Sequence, residues 1–439
     1  MMNKVSASSP HDRPTSSQTS LQVMALLVFL VMGLSGAIGP VLIPAIRITF
    51  GLGLSAAMAV QWTALVVSGL SSLPLAHMLH QYGARRMILT GLALMASGCL
   101  AVRFLMFAPV GPALGYGLMI ASLAITALGT AALQVAANLL VVQSGSARSA
   151  SSRLTLAQSF NSLGVLGGVS LATNFALGAG TGSVPAITGG IGQTYGWAAA
   201  INAAVLIAAI AIGTAPWSGT RPSPQAATAP IRAALKSGWA LAGACAIALY
   251  VGAEGAIGSI LIPFLHQETV LNLSLEQAGH YLGWFYWGGA LAGRLAGTWL
   301  LHRWTPTRML GLMAGAAAVA SAMAAGGSGH LAGYAGLATG LCNAIMFPVI
   351  YSITVERSPA PSAAVSGLLS TAIAGGAILS VLVGWTGEHW GFGLCFVIPM
   401  VAYVLIGLFA ACAARSPAIG TPPQDSRTTS SVGNRSERI

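Results

Sequence analysis

Of the eight acidic residues in this 439-residue chain, only Glu254 falls well inside a long apolar stretch. A charge in such a place is costly, so it normally faces a cavity, meets a partner and marks the path of an ion or substrate. A carboxyl there can take up and release a proton, which suits ion coupling. The plainer alternative is a structural ion pair. Arg294, in another apolar stretch, is the natural partner. Arg294 could equally cap helix ends, help form an inner gate or snorkel to an interface.

The carboxamides form a second set. Gln134 and Asn138 are four apart, Gln158 and Asn161 three apart, so each pair shares a helix face. Gln61 and Asn343 also lie within apolar runs. An amide both donates and accepts, as a sugar hydroxyl does. Amides also join helices to one another in membranes, and that use competes at every position. Aromatic rings cluster in GWFYWGG, residues 283–289. A flat ring can stack on the apolar face of a sugar. On a helix Phe285, Tyr286 and Trp287 point about 100° apart, so only one or two can face a cavity. Tyr286 and Trp287 are the candidates here, with Trp62, Tyr250 and Tyr351 behind them; core packing and an interfacial belt are the alternatives. Arg85 and Arg86 form a basic pair suited to capping helix ends or locking a gate.

Long apolar elements must position these groups. The chain is 55% hydrophobic and 6% charged, whereas soluble domains carry roughly 25% charged residues. Runs of about 18 or more apolar residues, enough to cross a bilayer, recur throughout. Their continuity predicts helices rather than the alternating strands of a barrel. Twelve spans are expected, at 22–46, 55–79, 87–107, 114–142, 154–178, 196–216, 237–265, 277–301, 308–326, 330–355, 363–385 and 392–414. With both ends on one side, 16 of the 19 Lys and Arg residues fall there. That bias predicts cytoplasmic termini and accounts for the net charge of +11 without nucleic acid. The expected location is a bacterial inner membrane. The five cysteines have neither metal-ligand nor disulfide spacing and read as small packing residues. No phosphate-cradling loop, His/Glu metal cluster or nucleophile elbow occurs in a credible context. The expectation is therefore a protein that is not an enzyme and needs no cofactor or metal.

The chain also repeats itself. GLSGAIGPVLIP (33–44) and GAEGAIGSILIP (252–263) agree at eight of twelve positions, 219 residues apart. MLHQYGARRMI (78–88) and LLHRWTPTRML (300–310) share a Leu-His pair, an aromatic two residues later and a basic residue six later. Span 1 thus corresponds to span 7, and span 2 to span 8. The expected organisation is a cytoplasmic tail (1–21), a six-helix bundle (22–216), a cytoplasmic linker (217–236), a second six-helix bundle (237–414) and a second cytoplasmic tail (415–439). Two such halves repeated in parallel define an all-α membrane protein with two pseudo-symmetric bundles, the major facilitator architecture. The glycines at i, i+3 and i+6 of the repeated phrase would let a neighbouring helix approach closely. Pro44 and Pro263 should weaken the outer ends of spans 1 and 7.

Several stretches resemble the fucose–proton symporter family of sugar permeases, in particular its glucose/galactose transporter branch. They are LQVAAN (133–138), SSRLTLAQSFNSLG (151–164), YVGAEGAIGS (250–259), FYWGGALAGR (285–294), NAIMFP (343–348) and SGLLSTAIAGGAI (366–378). The resemblance implies secondary active transport of a hexose-class sugar. It implies that Gln158 contacts the sugar, as the Gln of the family signature does. The sequence departs from the family where an Asn-Asp pair in span 1 is replaced by Gly39 and Pro40. Gln134 stands where the fucose permease has Glu, and Leu139 replaces a Pro. The loop pattern Asp-Arg-x-Gly reads His80-Gln81-Tyr82-Gly83. The first two departures remove acids from spans 1 and 4 and leave Glu254 as the candidate coupling group. The expected partners are a sugar, a coupling proton or sodium ion and the lipid bilayer, with the chain a monomer. An exporter of small apolar or cationic compounds, an uncoupled facilitator and a sensor of the same fold are the alternatives.

Overall fold

The structure is a computed structural model that describes residues 16–143, 150–178, 183–213, 217, 231–301 and 303–416. Most of both expected tails and residues 218–230 of the expected linker lie outside the described residues. The described chain is helical throughout, and ten helical stretches are long and apolar enough to cross a membrane. One of these runs from Leu54 to Leu105. Its main helix, Ala59–Leu105, has 47 residues, about 70 Å at 1.5 Å per residue. That is twice what a bilayer core takes up. It is two crossings, spans 2 and 3, joined by a fold at Gly83. Gly83 has φ 79° and ψ 164°, a conformation that favours glycine. The expected loop at residues 80–86 thus shrinks to one residue. The twelfth crossing, span 8, consists of Leu275–Tyr281, a π-helical segment Leu282–Trp287, and Gly288–Leu300.

The remaining spans follow the sequence closely. Span 4 is Pro112–Gln143 and span 5 is Ala150–Ala172, extended by a π-helical segment Thr173–Leu177. Span 7 is Gly238–Leu265 and span 9 Pro306–Gly326. Span 10 is Gly329–Asn343 with Met346–Arg357, and span 12 includes Val397–Arg415. Span 11 is Ser362–Ala372 and Gly376–His389, joined by a 3₁₀ turn. Span 6 departs most. It runs Val184–Ala211, starting twelve residues before the expected 196. The residues missed include Thr188, Gly189, Gly190 and Gly192, which weaken the apolar signal although helices in lipid tolerate them.

The two copies of the repeated phrase diverge at their ends. Span 1 is Ser16–Val41, with Pro40 inside it, and resumes as Ile43–Phe50 after Leu42. Pro44 sits in the first turn of the new helix, where its missing N–H costs nothing. In span 7 Pro263 lies inside an unbroken helix. The break expected at both outer ends occurs only in span 1, where Pro40 and Pro44 act together.

The glycines of the phrase also divide their work. A methyl at Gly33 would lie 2.0 Å from the Asn161 carbonyl oxygen of span 5. One at Gly252 would lie 2.8 Å from the Gly376 carbonyl oxygen of span 11. Corresponding glycines thus seat corresponding helix pairs, 1 with 5 and 7 with 11. Gly36 meets open space, whereas a methyl at Gly255 would lie 2.2 Å from Gln61 Nε2.

Apolar packing shows how the halves sit together. One core joins the far part of the first half, including Leu34 to Ile46 and Leu54 to Val60, to the second half. The chain-end part of the first half, including Met24, Phe29, Leu79, Met87, Leu133 and Leu140, forms a separate core. The halves share one core at the face opposite the chain ends; toward the chain ends their cores separate, yet they still meet where Gly367 of span 11 faces Leu73 of span 2 and where Arg294 of span 8 bonds to Ser162 of span 5.

Candidate functional site

Glu254 lies in the middle stretch of span 7 and is half-buried. Its Oε1 atom is buried and has no hydrogen-bond partner. The buried Tyr250, one turn earlier, lies against the carboxyl group. Because Gly255 abuts Gln61 of span 2, this turn of span 7 faces the opposite half. A buried acceptor left unsatisfied costs about 1–3 kcal/mol, and more when charged. Such a cost is tolerated where a ligand or proton completes the group.

Behind Glu254 the second half builds a polar brace. Tyr286 Oη donates to the Glu254 carbonyl oxygen at 2.9 Å, and Asn343 Nδ2 donates to Tyr286 Oη at 3.3 Å. Tyr286, Asn343 and Tyr403 are each 0% exposed. Asn343 Oδ1 and Tyr403 Oη are buried without partners. Tyr286 and Asn343 follow the alternatives of core packing and helix joining. Tyr286 does not present its ring to a cavity but holds the backbone of span 7, and Asn343 holds Tyr286. Trp287 is half-buried, its ring edge-on to Tyr286 at 5.0 Å and beside Gly258. Phe285 and Trp284 are 51% and 73% exposed on the outer wall. Of the cluster, Trp287 alone keeps a position suited to stacking. All four rings lie in the π-helical segment Leu282–Trp287, of which composition gives no sign.

The first half supplies amides. Gln134, Asn138, Gln158 and Asn161 are all half-buried. Asn138 Oδ1 is buried without a partner, so span 4 also carries an unsatisfied acceptor. Asn161 Nδ2 donates to the Phe29 carbonyl oxygen of span 1 at 3.1 Å, so part of its capacity serves packing. Gln61 is buried and packs on span 7. Ser35, the counterpart of Glu254 in the repeat, is buried and accepts from Asn202 Nδ2 at 2.8 Å. Span 1 thus has a neutral hydroxyl that accepts from an amide, where span 7 has an acid with one unpartnered oxygen.

Arg294 is half-buried and donates from Nη1 to Ser162 Oγ of span 5 at 2.5 Å. That bond crosses between the halves. No Arg294–Glu254 ion pair within 4.0 Å occurs among the described residues, although the guanidinium acts on the carboxyl through space. Ser162 was not singled out from the sequence, yet it follows Asn161 directly and sits one turn from Gln158. Arg85 donates from Nε to the Gly213 carbonyl oxygen at 3.1 Å and so caps span 6 within its own half. Arg86 is exposed. Arg153 and Arg357 cap spans 4 and 12 in the same way, through the Val141 and Ala413 carbonyl oxygens. Arg103 donates to the Gly192 carbonyl oxygen at 3.3 Å and covers the Phe107 ring.

A second contact between the halves lies at the face opposite the chain ends. Glu388, at the end of span 11, accepts from Ser55 N at 3.2 Å and from Ser55 Oγ. Gly384 and Gly387 fit against Met58 and Leu54 beside it. The acid caps the start of the helix leading into span 2, joining the halves across their closed side. Replacing Glu388 with alanine is expected to loosen this closure. In a background lacking Cys245 and Cys412, a cysteine at the buried Leu54 should react faster with a membrane-impermeant maleimide once Glu388 is lost. An unchanged labelling rate would show that the clasp does not hold the halves together.

The arrangement has a recognisable class. Residues 24–381 match the family model described as Major Facilitator Superfamily. The chain belongs to that superfamily. It is 30% identical over 426 residues to a glucose/galactose transporter of Brucella abortus, covering 94% of this chain and all of the relative. It is 28% identical over 364 residues to the L-fucose-proton symporter of Escherichia coli, covering 74% and 77% of the two chains. Within the superfamily it is a member of the fucose–proton symporter family. A crystal structure of the major facilitator transporter FucP in the outward conformation superposes with a TM-score of 0.67 at 22% identity, covering 91% of this chain and 100% of that one. The xylose transporter XylE from E. coli, partially occluded and inward open, gives 0.67 at 13% identity, covering 93% and 100%.

Proposed function

We propose that this protein moves a monosaccharide of the hexose class across a bacterial inner membrane together with a proton. The halves, residues 22–216 and 237–414, rock about a central site, with both termini and the linker in the cytoplasm and one chain sufficient for transport. The observation that carries the reading is the buried, unpartnered Glu254 oxygen on the turn of span 7 that faces the first half. The named relatives, a glucose/galactose transporter and a fucose–proton symporter, support the sugar and the proton.

In this reading Gln158, Asn138, Gln134 and the free capacity of Asn161 meet sugar hydroxyls from the first half. Trp287 offers a ring face from the second. Gln61 sits at the contact between spans 2 and 7, so it reports closure as well as binding. Tyr286 and Asn343 set the position of Glu254. Arg294, bonded to Ser162, joins the halves on the chain-end side of Glu254. Arg85 and Arg86 shape the cytoplasmic ends of spans 3 and 6.

The test is uptake of labelled glucose, galactose and fucose by purified protein in liposomes. Saturable accumulation is expected with an inward proton gradient, and none above equilibrium with a sodium gradient alone. Accumulation driven by sodium would replace the proton in this reading. Equilibrating, gradient-independent uptake would identify an uncoupled facilitator. No saturable uptake of any monosaccharide would remove the sugar.

A further inference from the structure

A groove of about 650 Å³ runs along the second half between spans 7 and 12, away from the sugar site. That size lies within the range of small-molecule sites, roughly 300–1,000 Å³. It opens sideways, where a membrane-spanning wall meets lipid. Trp239 and Phe409 meet edge-on at 6.1 Å and form part of its wall. Leu249 and Leu405 lie at its deep end, and the exposed Ala242, Cys245 and Cys412 along its length. From Gly238 to Leu249 the helix rises about 16 Å, close to half of the roughly 30 Å hydrocarbon core. The groove therefore matches the depth of one leaflet.

Its chain-end mouth is polar and positive. Lys236 lies there, exposed. Ser237 begins span 7, accepting from Ala240 N at 3.2 Å and from Ser358 Oγ at 2.9 Å. The 28-residue helix starts at this mouth, and a helix start favours an anion, although Ser237 already accepts from the N–H groups of Ala240 and Leu241. Gly238 meets open space there. One molecule type combines an acyl chain of leaflet depth with an anionic head at the interface.

We propose that the groove between spans 7 and 12 is a binding site for one anionic phospholipid of the chain-end leaflet. Its acyl chain lies along Trp239, Ala242, Leu249 and Leu405, and its phosphate sits at Lys236 and the start of span 7. The lipid would brace the half of span 7 that leads to Glu254.

The test uses full-length protein in detergent with equimolar dioleoyl-phosphatidylglycerol and dioleoyl-phosphatidylcholine, read by native mass spectrometry. The wild type should retain one phosphatidylglycerol, preferred about fivefold, the preference that one basic side chain confers at an anionic surface. Lys236→Gln should lose the preference, and Ala242→Trp should lose the retained lipid. The same phosphatidylglycerol should slow N-ethylmaleimide modification of Cys245 and Cys412, read by peptide mass. This second measurement serves if Ala242→Trp fails to fold. Equal retention of both lipids, or an undiminished preference in Lys236→Gln, would overturn the proposal. A two-chain species that forms without lipid and protects both cysteines would assign the groove to a second copy instead.

Discussion

Replacing Glu254 with glutamine should abolish proton-driven accumulation of sugar and leave exchange of internal for external sugar near the wild-type rate. The amide has almost the shape of the carboxyl but cannot carry a proton between the faces. Its oxygen occupies the buried position of Oε1 without a charge, and Tyr250 keeps its neighbour. Binding and rocking should survive. With an inward gradient of one pH unit, each coupled proton supplies about 1.4 kcal/mol, enough for accumulation approaching tenfold. In Glu254→Gln that ratio should fall to one while counterflow persists. Accumulation at the wild-type level would move the coupling elsewhere. Loss of counterflow as well would make Glu254 a sugar-binding or structural group. Arg294 offers a second arm to the experiment. Its bond to Ser162 links the halves, so Arg294→Met should slow both accumulation and exchange, separating a linking role from a coupling one.

The contrast within the repeat explains why this acid was legible so early. Two copies of one phrase share their glycines and differ at Ser35 and Glu254. The structure gives each difference a setting. Ser35 accepts from Asn202, while Glu254 is an acid with an oxygen without a partner. Composition and period carried the twelve crossings as well, because lipid demands long apolar helices whatever their packing. Less legible were features set by backbone detail. Span 6 begins among glycines and threonines that look like a loop. Tyr286 could face a cavity or pack in the core, and its place in the π-helical segment Leu282–Trp287, with its hydroxyl on the Glu254 carbonyl, was not legible in the sequence. The Glu388–Ser55 clasp joins residues 333 positions apart, and nothing local to either announces the other. The Arg294–Glu254 pair was plausible by type, yet the guanidinium bonds across to Ser162 instead.

The glycine seam between spans 1 and 5 carries the other large effect, and it falls on folding. A methyl at Gly164 would lie 1.9 Å from the Leu30 carbonyl oxygen, and one at Gly168 would lie 2.1 Å from that of Leu34. With Gly33 against the Asn161 carbonyl, the two helices touch backbone to backbone at three points. A side chain cannot rotate away from such a contact, because the obstructing atom belongs to the main chain. Gly164→Val must push the helices apart by at least 1.1 Å, the difference between 1.9 Å and the 3.0 Å that real contacts respect. Interiors repack poorly around such a displacement, and overpacking alone costs about 1–3 kcal/mol. Without a hydrophobic drive between helices in lipid, lost close packing is lost association energy. The expected result in detergent is a melting temperature lower by about 5 °C, or no folded protein recovered. Gly117→Val is the matched control, since a methyl there meets nothing within 4 Å on an exposed helix face. It should melt within a degree or two of the wild type. If Gly164→Val were equally silent, spans 1 and 5 would have to pack less closely than described. The seating of span 1 against span 5 would then no longer parallel that of span 7 against span 11.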